Sequence, residues 1–350
     1  MRILHITNHV LEIGNGIVNV AVDLACAQSD YNHEVFFASG GGEYEDLLND
    51  HGVKHCQMVF SKSLAALPRM LYNLHKIIKI TQPDIVHAHM MTGALIAKIL
   101  RFRGNYKLVT HIHNEFQRSA RLMGIGNAVI AVSEAVADSM QLRGIPSRKL
   151  HVIRNGVIGS PRVSAVVPIK LEYPAIITVA GLYERKGIRD LILAFDRLPE
   201  SIHAHLYIIG EGPDRVIFEN LAMQSNRVSK IHFEGFKRQP QAYLREATIF
   251  VLASRKDPFP LVLLEAREYG CPIIASNTDG IPEALEHGVA GYLVPVRDAA
   301  ALSDRIQFLL EHKLSRENLG RRARENMEQY TVKRMVDQVI NLYNNILITR

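Results

Sequence analysis

The chain has 350 residues, 47% of them hydrophobic and 22% charged, with a formal net charge of +6. That length points to about two domains of ordinary globular composition, and nothing in it approaches the roughly 18 uninterrupted apolar residues of a membrane span. With 7% aromatic residues, no Trp and no nucleic-acid motif, nucleic acid is not an expected partner. Three cysteines, Cys26, Cys56 and Cys271, form neither a CxxC nor an even disulfide set. They fit packing roles in a reducing cytoplasm.

From the N-terminus, "RILHIT" reads as a strand with no signal-peptide pattern before it, which makes a cytoplasmic chain the expectation. "LEIGNGIVNVAVDLA" follows, with Gly14 and Gly16 between that strand and an amphipathic helix. Glycine there lets backbone N–H groups approach an anion, although the full GxGxxG of a dinucleotide site is lacking. Further strands are expected at "HEVFFAS", "DIVHAH", "KLVTHIH", "AVIAV" and "LHVIR". Between them, "LPRMLYNLHKIIKI" interleaves basic and apolar residues. Arg69, Lys76, Lys79, Lys98, Arg101, Arg103 and Lys107 stand against a lone Asp84. An anionic membrane surface is one reading of that pattern, and a helix that simply packs is the other. "VHAH" (His87, His89) and "THIHN" (His111, His113) each place two histidines on one face of a strand. Zinc, core histidines bonded to backbone, and a polar lining for a sugar all fit that pattern. Zinc fits least, because no known zinc-site spacing of carboxylates or cysteines accompanies it.

The stretch from Arg154 to Pro174 is rich in Gly, Ser and Pro, has no periodicity and reads as a joint. Beyond it, strands are expected at "AIITVAG", "HLYIIG", "KIHFEG", "IFVLAS", "PIIAS" and "GYLVP", with helices between, and "VKRMVDQVINLYNNIL" closes the chain as an amphipathic helix. Repeated strand–helix–strand units imply parallel sheets covered on both faces, hence two doubly wound α/β domains. The expected bounds are 1–155, a linker at 156–173, a second domain at 174–328, and a final helix at 329–350 that returns to the first domain. Ligands of such sheets collect at the carboxyl ends of the strands. At one such end, "AGLYERKG" sets Arg185 and Lys186 before a helix, a poor place for cations unless an anion such as a diphosphate binds there. At another, "ASRKDPFPLVLLEA" offers Asp257 as an N-cap with proline at the first helical position, and Glu265 about two turns on. Two acids so spaced can each accept from hydroxyls of one ligand.

In order and spacing, "MRILHIT…GNG", "QPDIVHAH", "THIHNEF", "AVIAVSEAV", "AGLYERKG", "LYIIGEGPDR", "DPFPLVLLEAREYGCPIIAS" and "DGIPEALEHGVAGYLV" resemble the retaining glycosyltransferases of family 4 over nearly the whole chain. The resemblance implies the GT-B fold, two Rossmann-like domains facing a central cleft. It also implies transfer of a sugar from a nucleotide-diphosphate sugar, with UDP-sugar favoured over GDP-sugar, to a glycan or lipid-linked acceptor. Surface polysaccharide or lipopolysaccharide-type assembly is the implied setting, at the inner face of the membrane, with no cofactor and no metal. Carried over by position, Lys186 and Arg185 bind the diphosphate and Glu265 the ribose. Asp257 meets the transferred sugar, and the backbone at Phe259, Pro260 and Leu261 supports sugar or phosphate. Gly16 admits the diphosphate, Gly181 belongs to the donor site, Phe236 lies by the base, and His113 sits with Asp257 at the reacting centre. The chain departs from the family pattern in three places: Asp257 replaces a Glu, Pro258 and Pro260 replace glycines beside Phe259, and Leu182 replaces an Arg whose charge Arg185 is expected to supply. A rival reading is an inactive GT-B scaffold that binds a nucleotide sugar or glycan, and an epimerase or phosphorylase of similar architecture is a second.

Overall fold

Short runs rich in Ile and Val, buried on both faces, make the strands here, as expected where helices cover a parallel sheet from either side. The structure is a computed structural model that describes residues 1–61, 63–114, 116–163 and 166–348. It divides into two units, Met1–Arg162 with Tyr330–Arg350, and Val163–Gln329. Residues 164 and 165 of the expected linker lie outside the described residues.

The first unit holds β1 (Arg2–Ile6), β2 (Glu34–Ser39), β3 (Lys54–Gln57), β4 (Ile85–Ala88), β5 (Lys107–Ile112), β6 (Ala128–Ala131) and β7 (Leu150–Val152). All pair in parallel, in the order β3-β2-β1-β4-β5-β6-β7. The order reverses between β1 and β4. Such a switch point opens a crevice at the carboxyl ends of those two strands. β3 was not anticipated. Its sequence "KHCQ" has no apolar alternation, and it forms the sheet edge with its first and last residues exposed.

The helix Gly16–Asp30 begins where the Asn15 side chain accepts from the Ile17 N–H at 3.1 Å. Its Asp23 is buried and takes a two-pronged bond from Arg162, Nε to Oδ1 at 2.8 Å and Nη2 to Oδ2 at 2.9 Å. The closing helix Val332–Ile348 belongs to this unit, with Met335, Val336, Val339 and Tyr343 buried. Just before it, the Val157 N–H donates to the Tyr330 carbonyl at 2.8 Å and the Val332 N–H to that of Ile158 at 2.9 Å.

The second unit holds β8 (Ala175–Val179), β9 (His205–Ile209), β10 (Ile231–Gly235), β11 (Ile249–Leu252), β12 (Ile273–Ser276) and β13 (Tyr292–Val294). They too are parallel, in the order β10-β9-β8-β11-β12-β13, so this switch point lies between β8 and β11. Ile176, Leu191, Phe195, Ile208, Phe218, Val251 and Ile306 are among the residues of its core. The helices Ile188–Asp196 and Leu261–Glu268 follow the loops that leave β8 and β11, and both therefore start beside that switch point.

Candidate active site

The β8 loop and the β11 loop lie against each other at the switch point of the second unit. Gly187, at φ +67°, sits where the backbone of Ala253 passes so close that a Cβ would lie 1.8 Å from the Ala253 carbonyl oxygen. Only glycine tolerates both the left-handed conformation and that approach. The Arg185 carbonyl then accepts from the N–H groups of Arg255, at 2.8 Å, and Lys256, at 3.3 Å. With the backbones locked, Lys186 Nζ reaches Asp257 Oδ2 at 2.5 Å, and Ser254 Oγ donates to the same oxygen at 3.2 Å. The β12 loop joins them: the Asp257 N–H donates to Asp279 Oδ2 at 2.7 Å, and the Gly280 N–H to the Asp257 carbonyl at 3.3 Å. Three strand-end loops thus converge on Asp257, a residue only 5% exposed, with Lys186 and Ser254 on its carboxylate and the β12 loop on its backbone.

Arg255 supports this arrangement from behind. It forks onto Asp190 with two bonds of 2.8 Å and reaches Glu184 Oε2 at 3.3 Å, while Glu184 also takes Arg189. Sequence reasoning passed over Arg255, Ser254, Asp190 and Asp279. Their signal was adjacency, since "ASRKD" puts Ser254 and Arg255 within three residues of Asp257.

Asp257 does not cap the helix after it. The helix begins at Leu261 with Pro260 as its N-cap (φ −72°, ψ 120°), and no side chain caps it. The pairing of Asp257 with Lys186 and the N–H bond to Asp279 hold it three residues short of the cap position. Phe259 and both flanking prolines are buried, and Glu265 is half-buried in the second turn. Leu261, first in the helix, has an N–H with no intrahelical carbonyl to meet. Leu182 is fully buried in the core, and Arg185 is exposed with its guanidinium 5.4 Å from the centre of the Tyr183 ring. Gly181 lies two residues beyond the end of β8. Phe236 stands just beyond β10, two strands away from β8.

In the first unit, Gly16 opens the helix after β1. His113 ends a cluster of five imidazoles at the switch point: His5 on β1, His87 and His89 at β4, His111 and His113 at β5. The strand period stacks His87 on His89, with ring centroids 4.3 Å apart, and His111 on His113 at 4.0 Å. Four of the rings are buried and His113 is half-buried. Burial lowers the pKa of all five, to about 4 for His5 and about 3 for His113, so the rings are neutral at pH 7. Two triplets, His5–His87–His89 and His89–His111–His113, have ligand atoms within 4.8 Å of one another. His89 belongs to both triplets, but its two nitrogens already face His5 and His113 at 3.0 Å each. Rings stacked face to face also aim their lone pairs side by side rather than at one point. The cluster therefore suits a hydrogen-bonded array better than a tetrahedral ion. Both nitrogens of His111 and Nε2 of His87 are buried without a partner.

The basic helix spans Leu67–Thr81. Met70, Leu74 and Ile78 face inward, while Arg69, Tyr72, Lys76, Lys79 and Ile80 are exposed. Nearby in sequence, Phe102 is 95% exposed. No helix among the described residues is long and apolar enough to cross a membrane.

Two family models match the chain, glycosyltransferase family 4 over residues 14–158 and glycosyl transferases group 1 over residues 160–326. The chain belongs to glycosyltransferase family 4. Among curated relatives, it is 32% identical to an N-acetyl-alpha-D-glucosaminyl L-malate synthase of Bacillus anthracis over 63% of this chain. That match spans only 60% of the relative's own length. It is 24% identical to a Campylobacter jejuni N,N'-diacetylbacillosaminyl-diphospho-undecaprenol alpha-1,3-N-acetylgalactosaminyltransferase over 95% of this chain and 97% of that one. Its fold is that of Anabaena HepE, solved with UDP, at a TM-score of 0.82 and 19% identity over 99% of this chain and 100% of that one. The family's two-Rossmann GT-B architecture accounts for both parallel sheets.

Proposed function

We propose that this chain transfers a sugar from a nucleotide-diphosphate sugar to a hydroxyl of a glycan or lipid-linked acceptor, with retention at the anomeric carbon, in surface polysaccharide or lipopolysaccharide-type assembly. The observation that carries the reading is the Lys186–Asp257 pair, held by three strand-end loops at the switch point of the second unit and followed by the helix that starts at Leu261.

In this reading the bond from the anomeric carbon to the diphosphate oxygen breaks, and its electron pair stays on the diphosphate. The acceptor oxygen bonds to the same carbon, and its proton passes to a leaving phosphate oxygen. The Lys186 ammonium has three donors, one of them on Asp257, which leaves two for the diphosphate. With the N–H groups at the start of the Leu261–Glu268 helix and exposed Arg185, it offsets the charge that develops on the leaving group, and the scheme uses no metal. Asp257 orients a hydroxyl of the transferred sugar, and Glu265 accepts from the ribose. Gly181, Phe259 and Pro260 line the donor and Phe236 the base, and Asp257 is the second unit's catalytic residue. From the first unit, Gly16 is assigned to the diphosphate and His113 to catalysis. UDP as the nucleotide is supported by the Anabaena relative, which was solved with it, and a lipid-linked acceptor by the name of the Campylobacter enzyme. The exposed stripe of cations with Tyr72, Ile80 and Phe102 supports peripheral contact with an anionic cytoplasmic membrane face.

The test is a panel of UDP-, GDP- and ADP-sugars, scored for binding, slow donor hydrolysis and transfer. Turnover of one donor, with Lys186→Ala and Glu265→Ala each weakening its binding on the order of tenfold, is expected. Tight binding with neither hydrolysis nor transfer indicates a scaffold instead. Unchanged donor affinity in both variants overturns the site.

A further inference from the structure

Three histidines of the first-unit cluster lie on one hydrogen-bonded line with a glutamine at its inner end. Gln28 Oε1 meets His5 Nε2 at 2.8 Å, His5 Nδ1 meets His89 Nε2 at 3.0 Å, and His89 Nδ1 meets His113 Nε2 at 3.0 Å. A neutral imidazole carries one N–H and one bare nitrogen, and an amide oxygen can only accept. The direction at one end therefore sets every tautomer along the line. His5 gives its Nε2–H to Gln28, so its Nδ1 is bare and must accept from His89 Nε2–H. The bare Nδ1 of His89 must then accept from His113 Nε2–H.

We infer that Gln28, through His5 and His89, fixes His113 as the Nε2–H tautomer, whose remaining nitrogen, Nδ1, is a bare acceptor at the half-buried end of the line. The group that docks there is a hydrogen-bond donor, a hydroxyl of a sugar or acceptor. A phosphate oxygen, which offers only lone pairs, is rejected. Gln28, His5 and His89 are positioning residues in this scheme, and they act on the ligand only through His113.

One further observation bears on the line. All the rings involved are neutral, because burial holds their pKa values low, so each offers one N–H and one bare nitrogen. The choice of hydroxyl as ligand rests on the transferase reading, but the tautomer does not.

Imidazole 15N NMR on the uniformly labelled full chain tests this, with the His113 signals assigned by their loss in His113→Asn. The expected spectrum has a protonated Nε2 and a bare Nδ1 at His113. In Gln28→Met, which keeps the bulk and removes the acceptor, the tautomer preference of about tenfold falls toward parity. A wild-type His113 protonated on Nδ1 overturns the inference, even if the variant fails to fold. So does a folded Gln28→Met with the tautomer unchanged, or zinc near one equivalent per chain bound at His113 Nε2. The spectrum needs neither donor nor acceptor, so it can fail while the transferase reading stands, and the reverse.

Discussion

Lys186 and Asp257 form a pair that can be taken apart one charge at a time. Their side chains are 16% and 7% exposed, so water screens them little. At 2.5 Å the attraction is about 7 kcal/mol for an effective dielectric of about 20, most of it offset by desolvation. Removing one partner strands the other charge, which typically costs about 3–5 kcal/mol. Lys186→Met should therefore lower the melting temperature by roughly 6–20 °C, at about 2–4 °C per kcal/mol for a domain of this size. Adding Asp257→Asn should recover at least half of that loss, because the stranded carboxylate is gone. Calorimetry of the two single variants and the double variant measures the coupling. Nucleoside diphosphate titration on the same proteins separates the roles. Lys186→Met should weaken binding, whereas Asp257→Asn should not, since it removes a negative charge near an anion. Single-variant losses that add to within about 0.5 kcal/mol would refute the coupling. Equal loss of nucleotide affinity in both variants would refute the division of labour.

Gly187→Ala should cost about 3 kcal/mol or more. The left-handed backbone accounts for about 1–2 kcal/mol, and a Cβ 1.8 Å from the Ala253 oxygen forces the two loops apart. Wild-type stability and nucleotide affinity in that variant would show that the loops do not touch. Arg267 is fully buried and donates to the carbonyls of Ala284 at 2.7 Å, Ala323 at 2.9 Å and Glu325 at 2.8 Å, and it also pairs with Glu286. Arg267→Met should cost about 3–5 kcal/mol in urea unfolding, and a loss under about 1 kcal/mol contradicts its role as the clamp behind the Glu265 helix. The buried histidines predict acid sensitivity. His5 at about 4 and His113 at about 3 remain neutral in the fold, while in the unfolded chain they take up protons below about 6.5. Stability should be level above about pH 6.5 and fall as pH drops toward 4, at roughly 2.7 kcal/mol per pH unit for these two alone. Urea melts at pH 7.5, 6 and 5 measure the slope, and a flat profile would place the rings in water.

Most of the fold could be read from runs such as "AVIAV", "AIITVAG" and "IFVLAS". A strand buried on both faces must be apolar throughout, and that signal is local. "KHCQ" escaped because an edge strand keeps one side in water and needs no such run. The helix after β11 was legible, but its first residue was not. Asp followed by Pro is a sound local cap signal, and at Asp257 it was overridden by Lys186, 71 residues away in sequence. For the same reason the partners of Asp257 were out of reach. Asp279 comes from the β12 loop and Lys186 from the β8 loop, and only the strand order makes those loops neighbours. The His-x-His spacing put each pair on one strand face, and the structure stacks the rings there. It could not show that His5 joins them, because that follows from β1 lying beside β4.

The three departures from the family pattern become coherent once the loops are in place. Leu182 is core, so a cation is not needed at that position to hold the fold, and the loop's charge lies with Lys186 and exposed Arg185. Asp257 is short, and it is drawn back onto Lys186 with its backbone tied to Asp279. Pro258 and Pro260 remove two N–H donors but fix φ on either side of a buried Phe259, which limits the ways this loop can rearrange. Each change exchanges a flexible contribution for a fixed one. A loop with fewer backbone donors and a more rigid path must discriminate between sugars by where its few polar atoms stand, and Asp257 is held in place among them by Lys186 and Asp279.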